Sequence, residues 1–545
     1  MKRAIKYILS ILAIGFFSCE NYLDSVPYSF TSPENFYSTP AEAEVALNGV
    51  YSVMSTTSIN GTGNLSTFGS RLLFILNCGT DETAWDQGIG DATYSSIGNG
   101  AVSSNHEYIN DYWYFFYSGI NRANYLLEKL DGIDGLSDQR RIEIEGQTRV
   151  LRGMYHMYLS MLHGAIPTYA TSDQDPNKAR QPLNEVYELI ISDFQFGYDN
   201  LPHRDPLAGR INKWSAAGFL AKAYTYLASA KTTGVSDFGY SPNRFSWVDA
   251  QDYYKKALAI TSDIDDNSGY ELIAEYDRLF RETTKADQAR ECLFMVQFSN
   301  DPTVGAINQL NQAWLPAGNW KTVGGSWGWC RPTGEMYDKY LKGDIRGIHN
   351  LGGFIPGNRK GPTLTIDGAL YFEPNPLPSK NVGAMSIGKF RAKDPQSKSI
   401  PQWATETNIS LVRLADIILL KAEAQYYTGE EAAARITLEK IRNRAAGDGS
   451  VVTADDLTTT YYNPDFLEEL LEERSRELGF ELWRRIDLAR FNKFEEKIMA
   501  LDPSNGYYNA YASQVQSNWK PERIWYPIPI RQRDLNPNLE QNPGY

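Results

Sequence analysis

The amino-acid sequence predicts a mostly α-helical protein, a scaffold of tetratricopeptide-like helix pairs interrupted by long irregular loops and carrying little β-structure. Three observations predict it. Apolar residues recur at i, i+3, i+4 and i+7 in several stretches, the spacing of one helical face. Along paired stretches, small residues alternate with Tyr and Leu, which lets antiparallel helices approach closely and stack as repeat units do. Between the pairs, residues 300–400 lose the helical period and fill with Gly, Pro, Asn and Trp.

Composition bounds the function. Of 545 residues, 42% are hydrophobic and 22% charged, the proportions of a folded globular protein. Lys and Arg number 53 against 66 Asp and Glu, a net charge of −13, which excludes a protein that tracks nucleic-acid phosphates on a basic face. The 35 Tyr, 23 Phe and 12 Trp are an excess that either fills a helical core or paves a binding surface.

At the N-terminus, Lys2, Arg3 and Lys6 precede the apolar run Ile8 to Phe17, which ends at Ser18-Cys19. The run is too short to span a bilayer and reads as an export signal. A cysteine directly after such a run is where bacterial lipoproteins are cleaved and lipidated, so residues 1–18 read as a lipoprotein signal peptide and Cys19 as the lipid-bearing residue. Plain secretion with Cys19 as a free thiol is the alternative. The acidic Glu20-Asn-Tyr-Leu-Asp24 that follows fits a solvated tether. Cys78, Cys292 and Cys330 remain, too few and too scattered for a disulfide scaffold or a zinc site. One bridge with one buried thiol and three buried thiols are both open.

The helical stretches follow in order. The first places Thr148, Leu151, Tyr155, Tyr158, Leu159 and Leu162 on one face. A second runs from Ala217 through Leu220, Tyr224 and Leu227, and its partner carries Ala250, Tyr254, Ala257 and Ile264. Another pair reads from Leu411 through Ala422 to Tyr426, turns at Gly429 and returns through Ala434, Leu438 and Ala445. Strand-like runs are scarce, the best being Cys292 to Phe298. Residues 466–491 read as a helix packed on one side and laced by Glu472–Arg476 and Glu481–Arg485 at i, i+4.

Long loop tracts inside a compact chain usually carry function. Here one runs from Cys78 to about Glu107, and the other holds Trp314, Trp320, Trp327 and Trp329. An exposed indole stacks on the apolar face of a sugar ring. Some of these tryptophans instead plug the loops from beneath, Trp327 and Trp329 first among them because they abut the Cys330-Arg331-Pro332 turn. Catalytic motifs are weak. Gly324-Gly-Ser-Trp-Gly328 matches GxSxG but lacks the strand before and the helix after that a nucleophile elbow needs. The five His residues show no paired metal spacing, and the acidic pair Asp81-Glu82 arises easily by chance among 66 acids.

Taken together, several motifs resemble the SusD/RagB family of outer-membrane nutrient-binding lipoproteins of Bacteroidetes, over essentially the whole mature chain. They are the signal with Cys19; Asn48-Gly-Val-Tyr51; Gly119-Ile-Asn-Arg-Ala-Asn124; Arg149 to Tyr155 leading to Ile166-Pro167; Lys213-Trp-Ser-Ala216; Gly328-Trp329 with Arg331-Pro332; and Leu411 to Asp416. The strongest are LEERSRELGFELWRRIDLAR and Tyr526-Pro-Ile-Pro529 followed by LNPNLEQNPGY. Ser475 stands where the family usually has Arg, Leu482 where Gly is common, and the lipidation box is loose.

The resemblance implies one domain over residues 19–545, with an N-terminal part to about 290 and a C-terminal part from about 291 that intertwine. It also implies a surface-exposed outer-membrane location through lipid on Cys19, no catalysis, no cofactor and no metal. Family members sit as lids on a SusC-type TonB-dependent barrel and capture oligosaccharides or polysaccharides, or peptides in some branches, for import. Ligand residues vary within the family, so the choice here rests on local context: Trp85 and Tyr94 in the first loop, Trp314 and Trp320 in the second, and Asp81 as a hydroxyl acceptor. A peptide-binding import lipoprotein of the RagB type and a surface glycoside hydrolase are the alternatives.

Overall fold

The computed structural model describes residues 36–55, 67–85, 92–205, 207, 209–235, 244–299, 308, 310, 314, 328–351, 363–366, 369–372, 386–390, 405–506 and 509–545. The signal segment and Cys19 lie outside them.

Helix α1 (Pro40–Tyr51) starts with a reciprocal cap, in which Thr39 accepts from Glu42 N–H while the Glu42 side chain accepts from Thr39 N–H, and Pro40 occupies the first turn, where its missing donor costs nothing. The next labelled elements are strand β1 (Thr83–Trp85), α2 (Ala92–Gly98), α3 (Glu107–Lys129), α4 (Asp138–His163) and α5 (Leu183–Asn200). Then come α6 (Lys213–Thr233), α7 (Ala250–Asn267), α8 (Lys285–Glu291) and β2 (Cys292–Val296). Short strands β3 (Cys330–Pro332), β4 (Thr363–Ile366), β5 (Ala369–Phe372) and β6 (Ile409–Arg413) lead into α9 (Leu414–Tyr427), α10 (Glu431–Ala445), α11 (Phe466–Leu478) and α12 (Arg484–Arg490).

The helices pack in a continuous series, α3 on α4, α4 on α5, α5 on α6 and α6 on α7. Helix α9 then docks on α7, so the two sequence-distant pairs close into one array. Helix α6 is buried from Trp214 to Ala230 on all sides, as expected of a helix apolar all round. Its small residues matter for this packing. A Cβ on Gly218 would sit 2.5 Å from Val412 Cγ1, so β6 reaches the helix only because that position has no side chain.

Among the described residues the strands form antiparallel two-stranded ribbons, β1 with β3, β2 with β6 and β4 with β5. The predicted strand at 292–298 is present over Cys292–Val296. Two readings are corrected. Residues 411–413 belong to β6, whose backbone pairs with β2, and the helix begins at Leu414. Residues 466–491 form two helices joined by a tight connection in which Phe480 and Leu482 hold φ of 68° and 76°. The expected Glu472–Arg476 and Glu481–Arg485 pairs give way to Arg476 on Glu473 and Glu481 on Arg413, inside the protein. The left-handed φ of Leu482 explains why Gly suits this position, since a Cβ there is strained.

All three described cysteines are buried and none is in a disulfide, with Cys78 Sγ 3.1 Å from Cys330 Sγ and Cys292 apart on β2. Burial pushes the Cys292 thiol up to about 12. Because only an accessible thiolate attacks, none of the three is expected to be labelled by a thiol reagent at pH 8 until denaturant is added. Rapid labelling of the native chain would show that these interiors open. Among the described residues, no helix is long and apolar enough to cross a membrane.

Candidate functional site

The two loop tracts singled out in the sequence are rooted on one rigid base. Its centre is the β1–β3 ribbon, which registers Thr83 with Pro332 and Trp85 with Cys330 and so joins chain segments about 250 positions apart. The approach to β1 is fixed at successive carbonyls: Tyr511 Oη donates to Thr80 O at 2.6 Å, Thr333 Oγ1 to Asp81 O at 2.6 Å, and Thr333 N to Glu82 O at 3.0 Å.

Below the ribbon lie the charges. Arg484 grips Asp81 with two bonds, Nε to Oδ1 at 2.8 Å and Nη2 to Oδ2 at 2.6 Å, and Lys339 Nζ adds a third at 2.9 Å. Burial would raise this carboxyl, but the Arg484 and Lys339 charges outweigh it and hold Asp81 well below the usual carboxylate range. Glu82, next in the chain, is raised by its own burial despite the same two cations. It accepts from Ser475 Oγ at 2.7 Å and from Phe480 N at 3.3 Å.

This base continues into a buried ionic lattice. Arg346 pairs with Asp344 and Glu473, Arg413 with Glu291, Glu477 and Glu481, and Arg444 with Glu291 and Glu477. Arg474 bridges Asp416 and Asp487, with Lys222 on the same Asp416, and Arg490 bridges Glu423 and Asp487. Much of the LEERSRELGFELWRRIDLAR segment is therefore spent on holding α11 and α12 in place beneath β1.

The structure brings Asp81, Trp85, α2 with Tyr94, and Trp314 to this base, but not as sequence reasoning expected. Trp85 is only 3% exposed, packed 6.2 Å from the Phe74 ring and stacked 6.5 Å from Trp329. Trp314 is 1% exposed, 5.4 Å from Phe390 and 5.9 Å from Phe480, whose own amide bonds Glu82. An indole enclosed on both faces cannot stack on a sugar, and Asp81, 3% exposed, has both oxygens committed to cations. These three residues anchor the loops instead of meeting ligand there. Trp329 is half-buried in the same cluster, in the plugging role expected of it. Tyr94 lies on α2, which presses close because Gly98 has no Cβ; one would sit 2.4 Å from Trp85 Cβ. Trp320, Trp327 and residues 324–327 of the GxSxG match lie outside the described residues.

Sequence reasoning missed Lys339 and Arg484. Arg484 stood inside a recognised motif, but nothing in its spacing linked it to an aspartate about 400 positions earlier. The histidines are scattered: His156 and His163 are buried, which lowers each to about 3, His106 caps α3, and His349 reaches Lys389 O. Among the described residues, no group of three His, Cys, Asp or Glu could hold a metal ion.

The architecture is thus that of a helical-repeat scaffold on which irregular loops are inserted and rigidly rooted. Two family models match the chain, the "SusD family" over residues 373–545 and "Starch-binding associating with outer membrane" over residues 21–225. A SusD-like protein of Formosa agariphila is 24% identical over 100% of this chain and 99% of its own length. The starch-binding protein SusD of Bacteroides thetaiotaomicron is 25% identical over 99% and 98%. Among solved structures, a SusD homologue from Bacteroides thetaiotaomicron superposes with a TM-score of 0.76 at 20% identity, covering 94% of this chain and 98% of that one. A laminarin-binding SusD-like protein gives 0.68 at 22%, covering 93% and 100%. The chain belongs to the SusD/RagB family.

Proposed function

We propose that this protein is a non-catalytic glycan-binding lipoprotein of the outer-membrane surface, anchored through Cys19, that captures oligosaccharide or polysaccharide and delivers it to a SusC-type TonB-dependent transporter as its lid. The observation that carries the reading is family membership over the whole chain, with relatives named for binding starch and laminarin. The site geometry supports it physically. Loops that bind flexible, strongly hydrated sugars gain affinity when their ends are already ordered, because less entropy is lost on binding. The ionic base beneath β1 and β3 does this for both tracts.

Within this reading Trp320 and Tyr94 are the ligand-contact candidates, chosen for the Gly-rich, non-periodic sequence around them. Trp320→Ala is expected to abolish retardation of the mature chain on its cognate polysaccharide in affinity electrophoresis, with an unchanged melting temperature. Unchanged retardation would remove Trp320 from the site. Release of new reducing ends from the glycan would favour a hydrolase, and capture of peptides with no glycan bound would favour peptide import.

A further inference from the structure

A cleft of about 480 Å³ opens between the connection from α5 to α6, the α8 helix and β2. That volume lies in the ~300–1,000 Å³ range of small-ligand sites. None of its lining residues is among those that root the loops at Asp81, Trp85 and Trp314. Its walls carry Arg204, Arg210 and Lys285 against the single carboxylate of Asp205, with Tyr270 and Phe298 supplying apolar surface.

The charge balance of these walls is unusual for this molecule. The buried arginines of the core, Arg152, Arg346, Arg413, Arg474, Arg484 and Arg490, each hold a carboxylate within 3 Å. Arg204 and Arg210 hold none among the described residues. Arg204 is exposed and lies 3.7 Å over the Tyr270 ring. Arg210 lies 4.6 Å from the Tyr51 ring, donates to Asn48 Oδ1, and has Nη1 enclosed without an acceptor. Asp205 forms no ion pair with either and offsets only one of the two charges. Its Oδ1 accepts from Leu207 N at 2.8 Å and its Oδ2 from Gln147 Nε2 at 3.1 Å. Lys285 is already paired, with Glu406 at 3.1 Å. With Lys285 paired, the walls carry two guanidiniums against one carboxylate, a net positive cleft in a chain of net charge −13. Aromatic rings hold them in place without cancelling their charge. Guanidinium is the side chain best suited to bind a carboxylate or sulfate through paired N–H donors.

We propose that this cleft is a second glycan subsite that takes an anionic sugar residue, its carboxylate or sulfate oxygens bound by Arg204 and the positive field of Arg210 and its ring carbons resting on the apolar wall. The inference rests on the glycan reading and narrows it to acidic glycans.

The test uses the mature chain in titration calorimetry with four probes: an oligogalacturonate, its carboxyl-reduced counterpart, a sulfated galactan oligosaccharide and its desulfated counterpart. At least one charged probe is expected to bind at least tenfold tighter than its neutral counterpart, with affinity falling as salt is raised. The pair that shows the difference identifies carboxylate or sulfate as the group read. Arg204→Gln, an exposed position that leaves the fold intact, is expected to remove that difference, and Arg210→Lys to reduce it. Equal affinity for charged and neutral probes, or an Arg204→Gln chain that still discriminates, overturns the subsite. Neutral binding that depends on Trp320 with no preference for charge overturns the subsite while the glycan reading stands. Binding of acidic peptides with no glycan bound overturns both.

Discussion

Glu477→Ala is expected to cost about 3–5 kcal/mol of unfolding free energy, the range for removing one partner of a buried ion pair. Glu477 has no exposed surface. Its Oε1 meets Arg413 Nη1 at 2.6 Å and Arg444 Nη2, and its Oε2 lies 3.4 Å from Arg346 Nη1. Removing the carboxylate leaves like charges facing each other without solvent, so the loss is the cost of stranded charge and exceeds the net worth of the pair.

The pH dependence separates charge from packing. Burial alone would raise the Glu477 carboxyl, but Arg444, Arg413 and Arg346 outweigh it and bring it from 4.5 to about 2. A group lowered on folding stabilises fully above its unfolded value, and that contribution is lost as pH falls toward the folded value. The gap between wild type and Glu477→Gln, which keeps the shape, should therefore be full at pH 7 and shrink from about 4.5 down to about 2. Urea unfolding at pH 7 and at pH 2.5 checks it. An equal gap at both would show that the charge at Glu477 is not what stabilises the lattice.

Asp81→Ala is expected to show a loss of similar size, about 3–5 kcal/mol, because Arg484 and Lys339 would lose their shared buried counter-charge. This result distinguishes two roles. A hydroxyl acceptor in a ligand site, when removed, weakens binding and leaves the melting temperature alone. A loop anchor, when removed, lowers the melting temperature and loosens the whole β1–β3 base, weakening all ligands together. Calorimetric melting of Asp81→Ala beside Trp320→Ala makes the comparison. A normal melting temperature with ligand binding lost would return Asp81 to the site.

Much of the scaffold was legible along the chain. The apolar period placed the α4, α6, α7, α9 and α10 faces; the cap of α6, where the Asn212 side chain accepts from the Trp214 and Ser215 amides, came from the structure. The motifs also carried the family. The strand at 409–413 was missed because its apolar residues continue into the helix with no break in composition, and only pairing with β2 makes it extended. The single helix read at 466–491 failed for a related reason. Leu, Phe and Trp between 478 and 483 keep the helical pattern, while two left-handed residues turn the chain.

What the sequence by itself determined is what depends on local order: the helical periods, the low-period loop tracts, the net charge and the motif series that assigns the family. The tertiary structure alone decided which aromatics and acids face inward. Trp85, Trp314 and Asp81 sit in loop-like sequence that looks exposed, yet their burial is set by Trp329, Phe480 and Arg484, residues 166 to 403 positions away. A buried charge is tolerable only beside its counter-charge, and for Asp81 that counter-charge arrives from the far end of the chain when the fold closes.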